Sequence, residues 1–226
     1  MICSGRVVII TGAGEKAFCA GGDVKGQARA ASERGSGQRV SVPARVHGLR
    51  SGMELSRLLH EMPKPTLAVI PGPAAGAGLS LALACDLRVA SSRAIFGQPE
   101  INLGLIPGGG GTQRLCRLLG YGKAMEMTLT GEMVGAAEAM DIGLVNKVVE
   151  SEELESAAMA LAENIARKSP YTVKVAKRAV RSALDLPFSE GVLAERSEFV
   201  ALFDTEDKEI GVSAFLDGKD AEWVGR

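Results

Sequence analysis

The chain has 226 residues, enough for one domain with a sizeable buried core. Hydrophobic residues make up 46% and charged residues 23%, which excludes a disordered or fibrous protein. The formal net charge is -1 and the basic residues are scattered along the chain, so there is no electrostatic footprint for nucleic acid.

No apolar stretch is long enough for a membrane span. Met1 to Gly12 carries only the short apolar run Val7 to Ile10, unlike a signal peptide. Cys3, Cys19, Cys85 and Cys116 are widely spaced with no C-x-x-C pair, which fits small buried thiols in a reducing compartment and gives no zinc pattern. These features point to a cytoplasmic protein with no membrane segment and no metal.

In chain order, Val7 to Thr11 is a continuous β-branched run before Gly12 and predicts a strand buried on both faces. Gly26 to Arg50 has little periodicity and reads as a surface loop, followed by a helix from about Gly52 to His60. Thr66 to Ile70, between Pro65 and Pro71, predicts a second strand. Gly76 to Ala84 predicts a buried helix, and Leu87 to Ala90 another strand.

From Thr112 onward the pattern is helical. Leu154, Ala158, Leu161 and Ile165 mark one face of a helix with Ser151 as N-cap. Pro170 opens the next, with Val173, Ala176, Val180 and Leu184 on its inner face. Two more helices follow, around Ser189 to Phe203 and Glu206 to Leu216. Strands first and helices last describe an α/β core with a helical C-terminal portion.

Gly12-Ala13-Gly14-Glu15-Lys16-Ala17 fits the dinucleotide fingerprint G-x-G-x-x-A, but that turn should open directly into a helix. Here Gly21 and Gly22 follow and break any helix. Gly108 to Gly111 before Thr112 could aim free N-H groups at a phosphate, although a tight turn explains the glycines more simply. Cys19 to Asp23 and Gly72 to Ser80 are small-residue turns at strand ends. One backbone N-H from each could converge on a single oxygen, the construction of an oxyanion hole.

These segments resemble the enoyl-CoA hydratase/isomerase, or crotonase, family. The matching stretches are Val8 to Gly12, Lys16 to Asp23, Phe96 to Glu100, Gly104 to Leu115, Leu129 to Gly131 and Gly143 to Val145, in order. The resemblance implies a crotonase-like (ClpP/crotonase) α/β fold with a repeated ββα core and a helical C-terminal region. It places the core at 1–185 and a helical trimerisation region at 186–226, and implies a homotrimer or hexamer.

By the same resemblance the oxyanion donors are the backbone N-H groups of Ala20 and Ala77. Ala20, Gly21, Gly22, Asp23 and Ala77 would hold the substrate. That substrate would be an acyl-CoA thioester, with coenzyme A part of the substrate and no separate cofactor. The two glutamates of the family's hydratases map to Ser80 and Glu100, so one carboxylate is missing. Glu100 in an apolar pocket suits a proton shuttle. A single carboxylate can move a proton from the α- to the γ-carbon of a 3-enoyl thioester, and on the residues alone double-bond isomerisation is slightly favoured over hydration.

Ser80 fits a pocket-lining or water-binding role better than a nucleophile, since His47 and His60 match no triad pattern. The family usually has a further strand and helix before the segment matching Val7, so an exposed sheet edge is expected there. A non-catalytic CoA-binding homologue is the rival reading, and RNA binding, known in this family, is disfavoured by the charge balance.

Overall fold

The computed structural model describes residues 5–33 and 42–226. Seven strands and ten α-helices lie within them. Strand β1 (Val8–Thr11) leads to helices α1 (Val24–Glu33) and α2 (Val42–Glu61). Next come β2 (Thr66–Ile70), β3 (Ala74–Ala75), α3 (Ala77–Ala84), β4 (Leu87–Ser91) and β5 (Ile95–Gly97). The chain continues through α4 (Gly111–Leu119), α5 (Tyr121–Thr130), β6 (Val134–Gly135), α6 (Ala136–Asp141) and β7 (Lys147–Val149). Four helices close it: α7 (Leu154–Ala166), α8 (Pro170–Ser182), α9 (Phe188–Leu202) and α10 (Glu206–Asp217).

One sheet has the order β1-β2-β4-β7 and a smaller one the order β3-β5-β6. Every residue of β2 is buried, as its unbroken apolar run requires. The expectation of a fully buried β1 fails, because β1 is a terminal strand with one neighbour and is only half-buried. In the smaller sheet β5 pairs parallel with β3 and antiparallel with β6, so the chain leaving β5 at Gln98 starts beside the segment that opens α3.

By compactness the chain separates into two units, one of Met1–Ile9, Met62–Leu67 and Ser156–Arg226, the other of Ile10–Glu61 and Ala68–Glu155. In the second, Ile70, Leu79, Val89, Phe96, Leu115, Met127 and Leu144 are almost wholly buried. Arg88 is buried with them and donates to the Leu144 carbonyl at 2.7 Å and the Cys85 carbonyl at 2.8 Å, which satisfies its guanidinium without a carboxylate.

The segment after Gly26 differs from the expected loop. Helix α1 begins at Val24 on good helix formers, with Asp23 Oδ1 accepting from the Gly26 N-H at 2.8 Å in the manner of a cap. Helix α2 begins ten residues ahead of the expected Gly52, at Val42. No helix follows Gly14 directly, and Gly12 is required because a Cβ there would lie 1.9 Å from the Ala17 carbonyl oxygen. The dinucleotide reading ends there.

Ser151 is not the N-cap of α7. It starts a 3₁₀ turn, Ser151–Glu153, and its hydroxyl accepts from Arg93 Nε at 2.7 Å, which leaves it unavailable to the helix. The inner face assigned to α8 is also wrong. Val175 is buried whereas Val180 is 75% exposed, so the stripe that looked like core faces outward in the single chain. Cys19, Cys85 and Cys116 are free thiols, with Cys85 buried; Cys3 and the His47 side chain lie outside the described residues. Among the described residues no helix is long and apolar enough to cross a membrane.

In the first unit the C-terminal tail is fastened by one buried carboxylate. Asp207, 1% exposed, accepts from the Ser169 hydroxyl at 2.5 Å and from the N-H groups of Val224 at 2.8 Å and Gly225 at 3.0 Å. Ser169 also caps α8 by accepting from the Thr172 N-H. Trp223 Nε1 donates to the Arg167 carbonyl at 2.6 Å. Burial disfavours the Asp207 charge, but the Ser169, Gly225 and Val224 hydrogen bonds and the charge of Arg6 outweigh it and hold the pKa below the ordinary 3.8.

Asp207→Ala strands three donors and is expected to cost about 2–4 kcal/mol in urea unfolding. Because the folded pKa lies below the unfolded one, this stabilisation is complete above the unfolded value and is lost as pH falls through the folded value. The difference between the wild type and the variant should therefore shrink in acid. A second expectation concerns Gly78, where a Cβ would lie 2.0 Å from the Cys19 carbonyl oxygen. Gly78→Ala should cost about 1–3 kcal/mol or more, while Gly135→Ala, with open space around it, should change stability by less than about 0.5 kcal/mol.

Candidate active site

The two small-residue turns singled out in the sequence lie side by side. Phe18 and Cys19 donate their N-H groups to the Pro73 carbonyl at 3.1 and 3.2 Å, and the Ala75 N-H donates to the Cys19 carbonyl at 3.0 Å. Cys19 and Ala74 form a parallel bridge. A Cβ on Gly21 would lie 2.9 Å from the Ala75 carbonyl oxygen and 3.7 Å from the Ala77 nitrogen, and its φ of 99° is open to glycine but not to ordinary residues. Ala20 is exposed next to this contact, and so is Ala77, the first residue of α3.

Helix α3 has no side-chain cap. Its N-cap, Gly76, has φ 55° and ψ -120°, a conformation that turns the chain from β3 into the helix. The first N-H groups of a helix have no partner within it, and among the described residues neither Ala77 nor Ala20 N-H is matched to a protein acceptor. Two free donors beside a positive helix end can bind a developing negative charge.

Glu100 lies over that helix end. It sits in the 3₁₀ turn Pro99–Leu103 that follows β5, and its Oε1 is 3.1 Å from where a Gly76 Cβ would be. Any side chain at position 76 would displace the carboxylate. The Gly76 N-H donates to the Gly97 carbonyl at 2.9 Å, tying the turn before α3 to the strand that carries Glu100. Glu100 is half-buried, and burial, partly opposed by its own backbone N-H, raises its pKa above the ordinary 4.5.

Ser80, one turn into α3, is 1% exposed and its Oγ lies 3.4 Å from the Gln98 amide. Gln98 is wholly buried. The glycine loop closes over both. A Cβ on Gly111 would lie 2.4 Å from the Gln98 amide and 2.6 Å from Ser80 Oγ, and one on Gly109 would lie 3.2 Å from Ser80 Cβ. Arg114 steadies the loop by donating to the Gly109 carbonyl at 2.8 Å. Glycine at 109 and 111 is thus demanded by clearance over a polar pair, which the sequence reading had treated only as a tight turn.

The structure brings together Ala20, Gly21, Ala77, Ser80 and Glu100 of the expected site residues. Gly22 and Asp23 follow on the same turn, with the Asp23 carboxylate turned to the first turn of α1. Gln98 and Gly76 were not singled out for roles of their own. The signal for Gln98 was its place two residues before Glu100, and for Gly76 its place between alanines at a strand-to-helix turn.

A model of the family described as enoyl-CoA hydratase/isomerase matches residues 4–226. A protein of Dictyostelium discoideum named probable enoyl-CoA hydratase, mitochondrial, is 42% identical over 218 residues, which is 96% of this chain and 73% of that protein. The short-chain-enoyl-CoA hydratase of Clostridium acetobutylicum is 40% identical over 95% of this chain and 78% of its own length. Among solved structures, an enoyl-CoA hydratase from Bacillus anthracis superposes with a TM-score of 0.89 at 38% identity, covering 98% of this chain and 82% of that one. The fold, the small-residue turns and the match over nearly the whole chain agree: the chain belongs to the enoyl-CoA hydratase/isomerase family of enzymes and has the crotonase fold.

Proposed function

We propose that the chain moves a proton within an acyl-CoA thioester, with double-bond isomerisation of a 3-enoyl-CoA as its favoured reaction. The observation that carries this reading is a single carboxylate, Glu100, over the uncapped start of α3, while position 80 holds a buried serine engaged with Gln98. The thioester oxygen would accept from the Ala20 and Ala77 N-H groups, and the turn from Ala20 to Asp23 would hold the thioester. Glu100 takes the α-proton and the electron pair passes into a dienolate whose oxygen charge the two donors stabilise. Glu100 then returns the proton at the γ-carbon, giving the conjugated 2-enoyl thioester. Each donor of this kind is worth about 3 kcal/mol of transition-state stabilisation.

Only protons move, so the reaction uses no cofactor apart from the coenzyme A of the substrate. Hydration of a 2-enoyl-CoA is the second reading, favoured by the names of the relatives in Dictyostelium and Clostridium. It would need water oriented by something other than a second carboxylate. A non-catalytic CoA-binding role remains the outcome if neither substrate is turned over.

Self-association as a trimer or hexamer goes with this reading. Phe188 is 88% exposed, Phe215 84%, Leu216 76% and Val180 75%, a density of apolar surface on the C-terminal helices that a partner subunit would cover. Sedimentation should give a multiple of three chains, and a Phe188→Ser, Phe215→Ser double variant should dissociate toward monomers.

The reaction is tested by NMR of a 3-enoyl-CoA and of a 2-enoyl-CoA with the enzyme in D₂O. Conversion of the first to the 2-enoyl isomer, reduced at least about 100-fold in Glu100→Gln, is expected. A 3-hydroxyacyl product from the second sample, without isomerisation of the first, would overturn the preference. Since the base must be ionised and burial raises its pKa, the acid limb of kcat/KM should lie above the 4.5 of an ordinary glutamate.

A further inference from the structure

Gln98 is wholly buried, so each of its amide atoms must be satisfied by a neighbour. Only two side chains supply partners, and they make different demands. In one orientation Nε2 donates to Ser80 Oγ at 3.4 Å. The amide oxygen then faces the Glu100 carboxylate, acceptor against acceptor, and this is sound only if Glu100 carries a proton to donate. In the other orientation Nε2 donates to both Glu100 oxygens at 3.2 Å, which suits an ionised carboxylate. The amide oxygen then takes the position near Ser80, whose hydroxyl can turn and donate to it.

We propose that Ser80 and Gln98 form a reversible hydrogen-bond relay that follows the protonation state of Glu100. The amide turns over as the proton arrives and leaves, and Ser80 changes from acceptor to donor in step. A hydroxyl is the one group at position 80 that can serve both states, since it donates and accepts. A carboxylate there would only accept when ionised, and an apolar residue would do neither. Without the relay, one of the two protonation states would strand a buried polar atom.

The surroundings support this assignment. Among the described residues no second charge acts on Glu100, whose raised pKa reflects burial against its own backbone N-H. Arg114, the charged group of the overlying glycine loop, is turned onto the Gly109 carbonyl. Glycines at 109 and 111 leave no side chain that could replace either partner. Gln98 is therefore a positioning residue, acting through Glu100. The inference rests on Glu100 as the proton carrier.

The test reads protonation without turnover. The protein is labelled with ¹³C at glutamate carboxyls and ¹⁵N at glutamine amides, and Glu100 and Gln98 are assigned from Glu100→Gln and Gln98→Met. The Gln98 amide resonances should shift with the same midpoint as the Glu100 carboxyl. Gln98→Met removes the donor to the ionised form and should raise the Glu100 midpoint. Ser80→Ala strands the amide N-H in the neutral form and should lower it, and Ser80→Thr should restore it. Gln98 resonances that ignore the Glu100 titration, or variants that shift the midpoint in the same direction, would overturn the relay. If either variant fails to fold, the wild-type co-titration decides. Loss of the isomerase reading would leave these titrations readable, and loss of the relay would leave isomerisation by Glu100 untouched.

Discussion

Two backbone turns, Phe18 to Gly21 and Pro73 to Ala77, approach each other with no side chain between them. Three N-H groups and two carbonyls tie them together. A Cβ on Gly78 or Gly21 would collide with the opposite backbone, so contact at this distance depends on hydrogen bonds and glycine, with no help from apolar packing. The direction in which α3 starts follows from this contact. So does the free state of the N-H groups at Ala20 and Ala77, because an approach this close leaves no room for a capping side chain.

Inside α3 the side chains are small and apolar except for Ser80. A lone buried hydroxyl needs a partner, and Gln98, arriving from β5, provides it. The parallel pairing of β3 with β5 brings the Gln98-Pro99-Glu100 segment to the start of the helix. One polar pair inside the protein and one carboxylate at its edge are thus consequences of the same strand register. The proposed single-carboxylate chemistry depends on position 80 being a small neutral donor-acceptor, since a second acid there would compete with Glu100 for the amide.

The C-terminal helices follow a different logic. Asp207 and Ser169 secure the tail and the start of α8, and Val175 faces inward. The more conspicuous apolar stripe through Val180 stays exposed. Helical periodicity marks a face that avoids water, and it does so equally for a core and for a subunit interface. That ambiguity explains why the stripe on α8 was assigned to the inside.

Most elements were legible in the sequence, because strands such as Thr66 to Ile70 and helices such as those opened by Ala77 and Pro170 carry their signal locally, in β-branched runs, glycine turns and prolines. Ala20, Ala77, Ser80 and Glu100 could be placed by resemblance to a family, since the motif order survives in the chain. Short strands such as Ala74–Ala75 and Val134–Gly135 were not legible, because two residues hold no periodicity and only their partners define them. Helix α1 was missed because Gly26 looked like a breaker until the Asp23 carboxylate was seen to bond to its N-H. Only the tertiary structure could show that Gln98 is fully buried between Ser80 and Glu100 and that Gly109 and Gly111 are glycines for its sake. These relations join residues from α3, from the segment after β5 and from the loop before α4, and sequence order carries no record of which buried polar atoms must satisfy one another.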